Sequence, residues 1–253
     1  MAKQNPRDTM HGRIPPFSEN YDHKNYDYSS EPFDYEHNPS WRIFRIMAEF
    51  VDGFNFINKF SKSVTFFGSS RFTPQNRHYK EAQKLARMLA KSGYAIVSGG
   101  GPGIMEAANK GAVEGKGESI GLNIQLPFEQ RVNPYVKKAS AFNYFFTRKV
   151  MLAFSAQAFV FFPGGYGTLD EAFELLTLRQ THKINPRIPI ILVGKDFWGP
   201  LGQWLENNAL KKHGTIDARE LKLWELVDTA EQAFSIIKKS APISKAKSRG
   251  QGN

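Results

Sequence analysis

The sequence contains no cysteine. That absence excludes a thiol nucleophile, a thiolate metal site and a disulfide framework together. Long apolar runs are missing too: AFVFF at 158–162 and IPIILV at 188–193 fall far short of the ~20 residues a membrane span needs. Histidine is sparse, and no two histidines show the His-x-x-x-His spacing of a metal-binding helix, so no metal is expected. Acid is short relative to base, with 24 Asp and Glu against 34 Lys and Arg and a net charge of +10. Such a balance raises the question of nucleic acid. The excess is scattered, however, apart from the terminal KKSAPISKAKSRG, and no basic stripe interleaved with aromatics occurs. That argues against a nucleic-acid partner; small phosphorylated anions would also be drawn to such a field. The opening MAKQNPRDTMHGR lacks the apolar core of a secretory signal. A cytoplasmic protein without membrane contact is expected.

A chain of 253 residues is long enough for one α/β domain with a substantial core. Residues 1–38 are polar and without period, and read as a flexible N-terminal arm. Its Tyr21, Tyr26, Tyr28, Phe33 and Tyr35 suit docking on a neighbouring subunit. From Pro39 the stretch WRIFRIMAEFVDGFNFINKF spaces apolar residues by three and four, the pattern of an amphipathic leading helix. Strands and helices then alternate. Strands are expected at SVTFFGS, YAIVSGGG, ESIGLNI, AFVFF and IPIILVG. Between and after them come helices over 76–93, from PGIMEAANKGAVEGKG, around 143–156, from TLDEAFELLTLRQTHK, from DFWGPLGQWLENNALKK and over 228–239. This alternation predicts an α/β fold, a Rossmann-like three-layer sandwich with a mostly parallel central sheet and helices on both faces. The domain spans 39–240, and 241–253 reads as a disordered basic tail.

Three strands run into turns of small residues: GSS at 68–70, SGGGPG at 98–103 and PGGYGT at 163–168. In a parallel sheet, ligands bind beyond the carboxyl ends of the strands, where helix N-termini point outward. Small residues there let the main chain approach an anion. The usual phosphate motifs fail: there is no Gly-x-x-x-x-Gly-Lys run, and neither GGGPGI nor GGYGTLDE keeps the dinucleotide spacing. An NAD-dependent oxidoreductase is disfavoured on that ground. Thr168-Leu169-Asp170-Glu171 is also a capping box, in which Thr168 would cap the helix and Glu171 reach back to it. Either capping or chemistry, or both, accounts for Glu171 at this point. Glu106 and Asn109, one turn apart, are candidates for reaching a sugar or for a plain helix surface. The four tryptophans (Trp41, Trp198, Trp204 and Trp224) suit core or interface anchors.

PGGYGTLDE, with SGGGPGIMEAANKGA upstream and TRKVM between them, resembles the LOG family of cytokinin riboside 5′-monophosphate phosphoribohydrolases. The resemblance covers roughly residues 62–240, and the leading helix and arm resemble the extended branch of that family. It implies a Rossmann-like fold, a homodimer or higher homo-oligomer, and hydrolysis of the N-glycosidic bond of a nucleoside 5′-monophosphate. No metal or organic cofactor is implied. The substrate phosphate is then expected on Gly164, Gly165, Tyr166, Gly167 and Thr168, and catalysis on Arg148 and Glu171. Lys149, Thr177 and Glu129 match family contacts to the nucleotide. The other two small-residue turns add Gly68, Ser69, Gly100 and Gly101 as substrate-binding candidates. Where the family often has Glu-Glu, this chain has Asp170-Glu171. FNYFF before Thr147 departs from the Met- and His-containing form of plant members, which leaves the preferred base open. A nucleotide-binding sensor or scaffold without turnover is the rival reading, and the presence of both Arg148 and Glu171 argues against it. A PLP decarboxylase finds no marked Schiff-base lysine.

Overall fold

A computed structural model describes residues 39–60, 62–125, 132–154 and 156–240. The N-terminal arm, the basic tail and Glu129 lie outside the described residues. Seven strands form one sheet: β1 (Ser63–Phe67), β2 (Ala95–Ser98), β3 (Ser119–Ile124), β4 (Lys138–Phe142), β5 (Ala156–Phe161), β6 (Ile190–Val193) and β7 (Glu225–Val227). Their order is β4-β3-β2-β1-β5-β6-β7, and each neighbouring pair is parallel. The chain therefore lays strands outward from β1 to β4, then returns to the other side of β1 and builds outward again. The reversal between β1 and β5 opens a crevice at the carboxyl edge, where such folds hold their ligands.

Seven α-helices cover the sheet: α1 (Pro39–Ile57), α2 (Arg77–Lys91), α3 (Ile104–Glu114), α4 (Phe145–Phe154), α5 (Tyr166–Gln180), α6 (Lys195–Trp204) and α7 (Ala230–Lys239). Side chains that alternate along the strands serve both layers. Val64, Phe66, Val160 and Phe162 pack with α2, α3 and α7, while Phe67, Phe159 and Phe161 pack with α1, α4 and α5. Burial on both faces is why these strands read as unbroken apolar runs rather than alternating ones. Across the reversal, Phe67 stacks on Phe161 at 4.5 Å between ring centroids. That contact locks the two strands on either side of the crevice.

The three-layer parallel architecture agrees with the sequence, with local differences. The strands β4 and β7 lack a sequence signature: β4 is a largely exposed edge strand, and β7 has only three residues. The helix read through Lys212 leaves α-geometry at Trp204 and continues as a wider π-helical segment, Leu205–Lys212. Of the tryptophans, Trp198 is buried, whereas Trp41 and Trp204 are exposed. None of the helices among the described residues is long and apolar enough to cross a membrane.

Candidate active site

The crevice at the strand reversal contains a cavity of about 600 Å³. One wall is the turn after β1 (Gly68, Ser69, Ser70 and Arg71), and the opposite wall is the start of α5 (Gly165 to Thr168). The two turns are tied by their main chains: Ser69 N donates to Pro163 O at 3.0 Å, and Phe162 N to Phe67 O at 2.9 Å. Arg148, Glu171 and Gly99 close the cavity behind.

The helix start differs from the capping-box expectation. Gly165, not Thr168, is the N-cap of α5, and among the described residues no side chain caps that first turn. Thr168 therefore sits inside the helix, and Glu171 lies in its second turn, too far along to reach back to the cap. The reason is Gly164. A Cβ there would collide with the Thr168 side chain, so the glycine lets the chain fold tightly enough to start helix two residues before the threonine. Unpaired N–H groups at a helix start, together with the helix dipole, form a ready anion cradle. Thr168 is buried against Gly164, while Tyr166 projects into solvent.

Glu171 faces Arg148 across the cavity floor, with Nη2 to Oε1 at 3.6 Å and side chains only 12% and 16% exposed. Burial pushes the Glu171 carboxyl up to about 7; Arg148 and Lys149 oppose that rise, and Asp170 and Glu174 add to it. Burial likewise pulls Arg148 down, against the pull of Glu171. Perturbed carboxyls in clefts are common at functional sites and occur in structural ion pairs as well, so the shift makes Glu171 a candidate for chemistry. The Arg148 Nε is buried and makes no hydrogen bond among the described residues.

Other expected residues fall elsewhere. Lys149 does not line the cavity; its ammonium pairs with Asp170 at 2.9 Å and Glu174 at 3.0 Å. Thr177 is exposed on α5 and donates its hydroxyl to Phe173 O at 2.8 Å. Gly100 and Gly101 stand behind the cavity, their carbonyls each accepting from Asn133 Nδ2 at 3.0 Å, and Gly99 takes the position at the wall. Neither Glu106 nor Asn109 reaches the cavity. Glu106 accepts from the Tyr79 hydroxyl at 2.9 Å, and the fully buried Asn109 bonds Ser98, Ser119 and Asn133. Sequence reading missed Arg71, a second cation at the cavity. Its signal was present as the arginine directly after GSS, but nothing in spacing tells a cavity arginine from a solvated one.

Residues 105–237, just over half of the chain, match the family described as possible lysine decarboxylase, to which the LOG enzymes belong. The chain belongs to the LOG family. Over 132 residues it is 32% identical to a rice (Oryza sativa subsp. japonica) probable cytokinin riboside 5′-monophosphate phosphoribohydrolase, covering 50% of this chain and 53% of the relative. It is 26% identical over 184 residues to the pyrimidine/purine nucleotide 5′-monophosphate nucleosidase of Escherichia coli K12, covering 69% of this chain and 40% of that one. The chain thus spans less than two thirds of these relatives' own length. Among solved structures, an X-ray structure from a structural genomics consortium superposes with a TM-score of 0.55 at 27% identity, over 70% of this chain and 99% of the other. This LOG-family chain keeps Arg148, Glu171 and the glycine-rich start of α5 around one cavity.

Proposed function

We propose that the protein hydrolyses the N-glycosidic bond of nucleoside 5′-monophosphates, adenine nucleotides or their N6-modified forms foremost, to free base and ribose 5-phosphate. One observation carries the reading: the poised Glu171 lies in the same cavity as the uncapped start of α5. A phosphate on the N–H groups of Tyr166, Gly167 and Thr168, answered by Arg71, fixes the sugar and turns binding into orientation. As the C1′–N bond breaks, positive charge grows on the ribose ring, and the Glu171 carboxylate opposes it or polarises the incoming water. The water's oxygen bonds to C1′, one of its protons leaves, and the departing base takes up a proton. Permanently charged Arg148 orients Glu171 and balances the charge of the site.

Purified protein incubated with AMP, N6-isopentenyl-AMP, GMP and CMP should release base and ribose 5-phosphate, with the adenine nucleotides turned over fastest. Absence of base from every nucleotide refutes the reading. Because the ionised carboxylate is the active form, kcat/KM should fall about tenfold per pH unit below pH ~7 and level off above it. A flat profile from pH 5 to 9 contradicts the assignment.

The working unit in this reading is a cytoplasmic homodimer. Helices α1 and α4 pack side by side, with Phe54 against Phe154 at 4.6 Å, yet Ile43, Met47 and Val51 on α1 and Phe146, Val150 and Phe154 on α4 are exposed. Lone proteins seldom leave more than a few hundred Å² of contiguous apolar surface open. Phe173 and Thr177 on α5 are exposed as well. In sedimentation analysis the wild type should run as a dimer and the Met47→Asp/Val51→Asp variant as a monomer. A monomeric wild type at micromolar concentration rules this face out.

A further inference from the structure

The leading helix α1 lies outside the stretch matched to the family, and no role follows for it from the reaction itself. Its one acidic contact is directed at the catalytic layer. Glu49 Oε1 accepts from Asn143 N at 2.7 Å and Asn143 Nδ2 at 2.8 Å, while Oε2 accepts from Thr147 Oγ1 at 2.6 Å and Tyr144 N at 3.4 Å. These donors are the residues that begin α4. The carboxylate thus takes the N–H groups of the two residues that lead into α4 and the Thr147 hydroxyl of its first turn, and it places a negative charge at the positive dipole end. Burial pushes Glu49 up, but the bonds from Thr147, Asn143 and Tyr144 together outweigh it and hold the carboxyl below its ordinary range. Glu49 is therefore ionised throughout the neutral range. A second contact docks the same two helices: a Cβ on Gly53 would lie 2.8 Å from Met151 Cγ, so α1 approaches α4 at van der Waals distance there.

Arg148 follows Thr147 directly. Its guanidinium has no hydrogen bond among the described residues, only the ion pair with Glu171 and the ring of Phe145 at 5.3 Å. With no hydrogen bond to fix the guanidinium, Arg148 is placed by the backbone of α4 and by the cavity wall, where a Cβ on Gly99 would lie 3.6 Å from its Nη1. That backbone is held at its far end by Thr65 Oγ1, which donates to Leu152 O at 2.9 Å, beside Arg148 by the Lys149 pairs with Asp170 and Glu174, and at its near end by Glu49.

We propose that Glu49 is a positioning residue for the reaction: by capping α4 from the leading helix, it sets Arg148 against Glu171. The proposal rests on the hydrolase reading for its kinetic consequence, but its geometric core is independent of turnover. The groups that face Glu171 are Arg148 and Lys149 from α4 and Asp170 and Glu174 from its own helix, with Arg71 on the cavity wall. Releasing the start of α4 withdraws both cations of that helix and leaves both acids in place. Losing those cations beside unchanged acids drives the Glu171 carboxyl upward.

The test uses the full chain with Glu49→Gln and, separately, Thr147→Val, which removes a single donor. Two quantities are followed in the folded proteins, identified by cooperative melting: the carboxyl titration of Glu171 by carbon NMR, and kcat with KM on AMP. Expected for Glu49→Gln is an upward move of the Glu171 titration by about half a unit or more, as weakened pairing with a cation demands. With it comes a fall in kcat of about tenfold, KM staying within about threefold, since positioning of the reacting groups is lost and not the phosphate cradle. Thr147→Val should move both in the same direction by less, and it decides the matter if Glu49→Gln does not fold. An unmoved Glu171 titration in the folded variants overturns the proposal, leaving Glu49 a stabilising cap only. Because the titration needs no turnover, a wild type without hydrolase activity would refute the proposed function while the positioning claim is still decided.

Discussion

Glutamine in place of Glu171 is expected to reduce turnover by at least ~10³-fold while making the folded protein more stable at alkaline pH. Among the described residues the carboxylate is the only anionic group lining the cavity, so its loss removes the negative charge placed there to face a developing positive charge. The stability effect follows from burial. Folded Glu171 keeps its proton up to about pH 7, against 4.5 for the ordinary group. Between those values the folded state binds more protons than the unfolded chain, so the wild type loses stability as pH rises through that window and loses no more above it. The accumulated penalty is about 3 kcal/mol at pH 8, which a neutral amide of the same shape avoids. Melting temperature should rise by about 5–10 °C at pH 8 and be unchanged near pH 4. Equal melting at pH 8 would show that the carboxylate is not held against its solvation preference, and retained turnover would move the catalytic role elsewhere.

Gly164→Ala and Gly165→Ala form the second pair of large expected effects, and the adjacent positions should behave oppositely. At Gly164 a methyl overlaps the Thr168 side chain, which is buried and has nowhere to go. The turn must open, at a cost of about 1–3 kcal/mol, and the first N–H groups of α5 splay away from their common focus. At Gly165 the methyl meets nothing within 4 Å, and the φ of −90° suits any residue. The fold should stay within about 1 kcal/mol of wild type, as expected for an N-cap substitution. The methyl stands on the cavity wall, however, where a phosphate oxygen would rest. Thermal melting with titration of AMP separates the two: loss of stability and affinity together for Gly164→Ala, and loss of affinity alone, about tenfold or more, for Gly165→Ala. If Gly165→Ala binds AMP as tightly as wild type, the phosphate does not sit on the start of α5.

Much of this site was legible in the sequence for a local reason. The glycines of PGGYG, the acid three residues beyond Thr168 and the arginine of TRKVM are encoded in short stretches, each tied to one strand end or one helix turn. Reading went astray where the deciding interaction lies between segments. Thr168 satisfies every local rule for a cap, yet the chain starts its helix at Tyr166 because Gly164 allows a tighter turn. Lys149 belongs to the same motif as Arg148, but successive helical residues point about 100° apart. One reaches the cavity and the other pairs with Asp170 and Glu174. Arg71 follows a small-residue turn but nothing local tells it from a solvated arginine, and Glu49 carries no local signal at all.

By itself, the sequence determined the layered parallel architecture, because apolar runs buried on two faces and amphipathic helices between them have few other ways to pack. It also determined the tight start of α5, since a Cβ at Gly164 would collide with the Thr168 side chain. The tertiary structure alone decided the chemistry's setting: the reversal between β1 and β5 that opens the cavity, the burial that holds Glu171 near neutrality, and the reach of Glu49 across 94 positions to the start of α4. Those properties depend on distance and on exclusion of water. Neither is a property of a residue or its neighbours along the chain until the layers close.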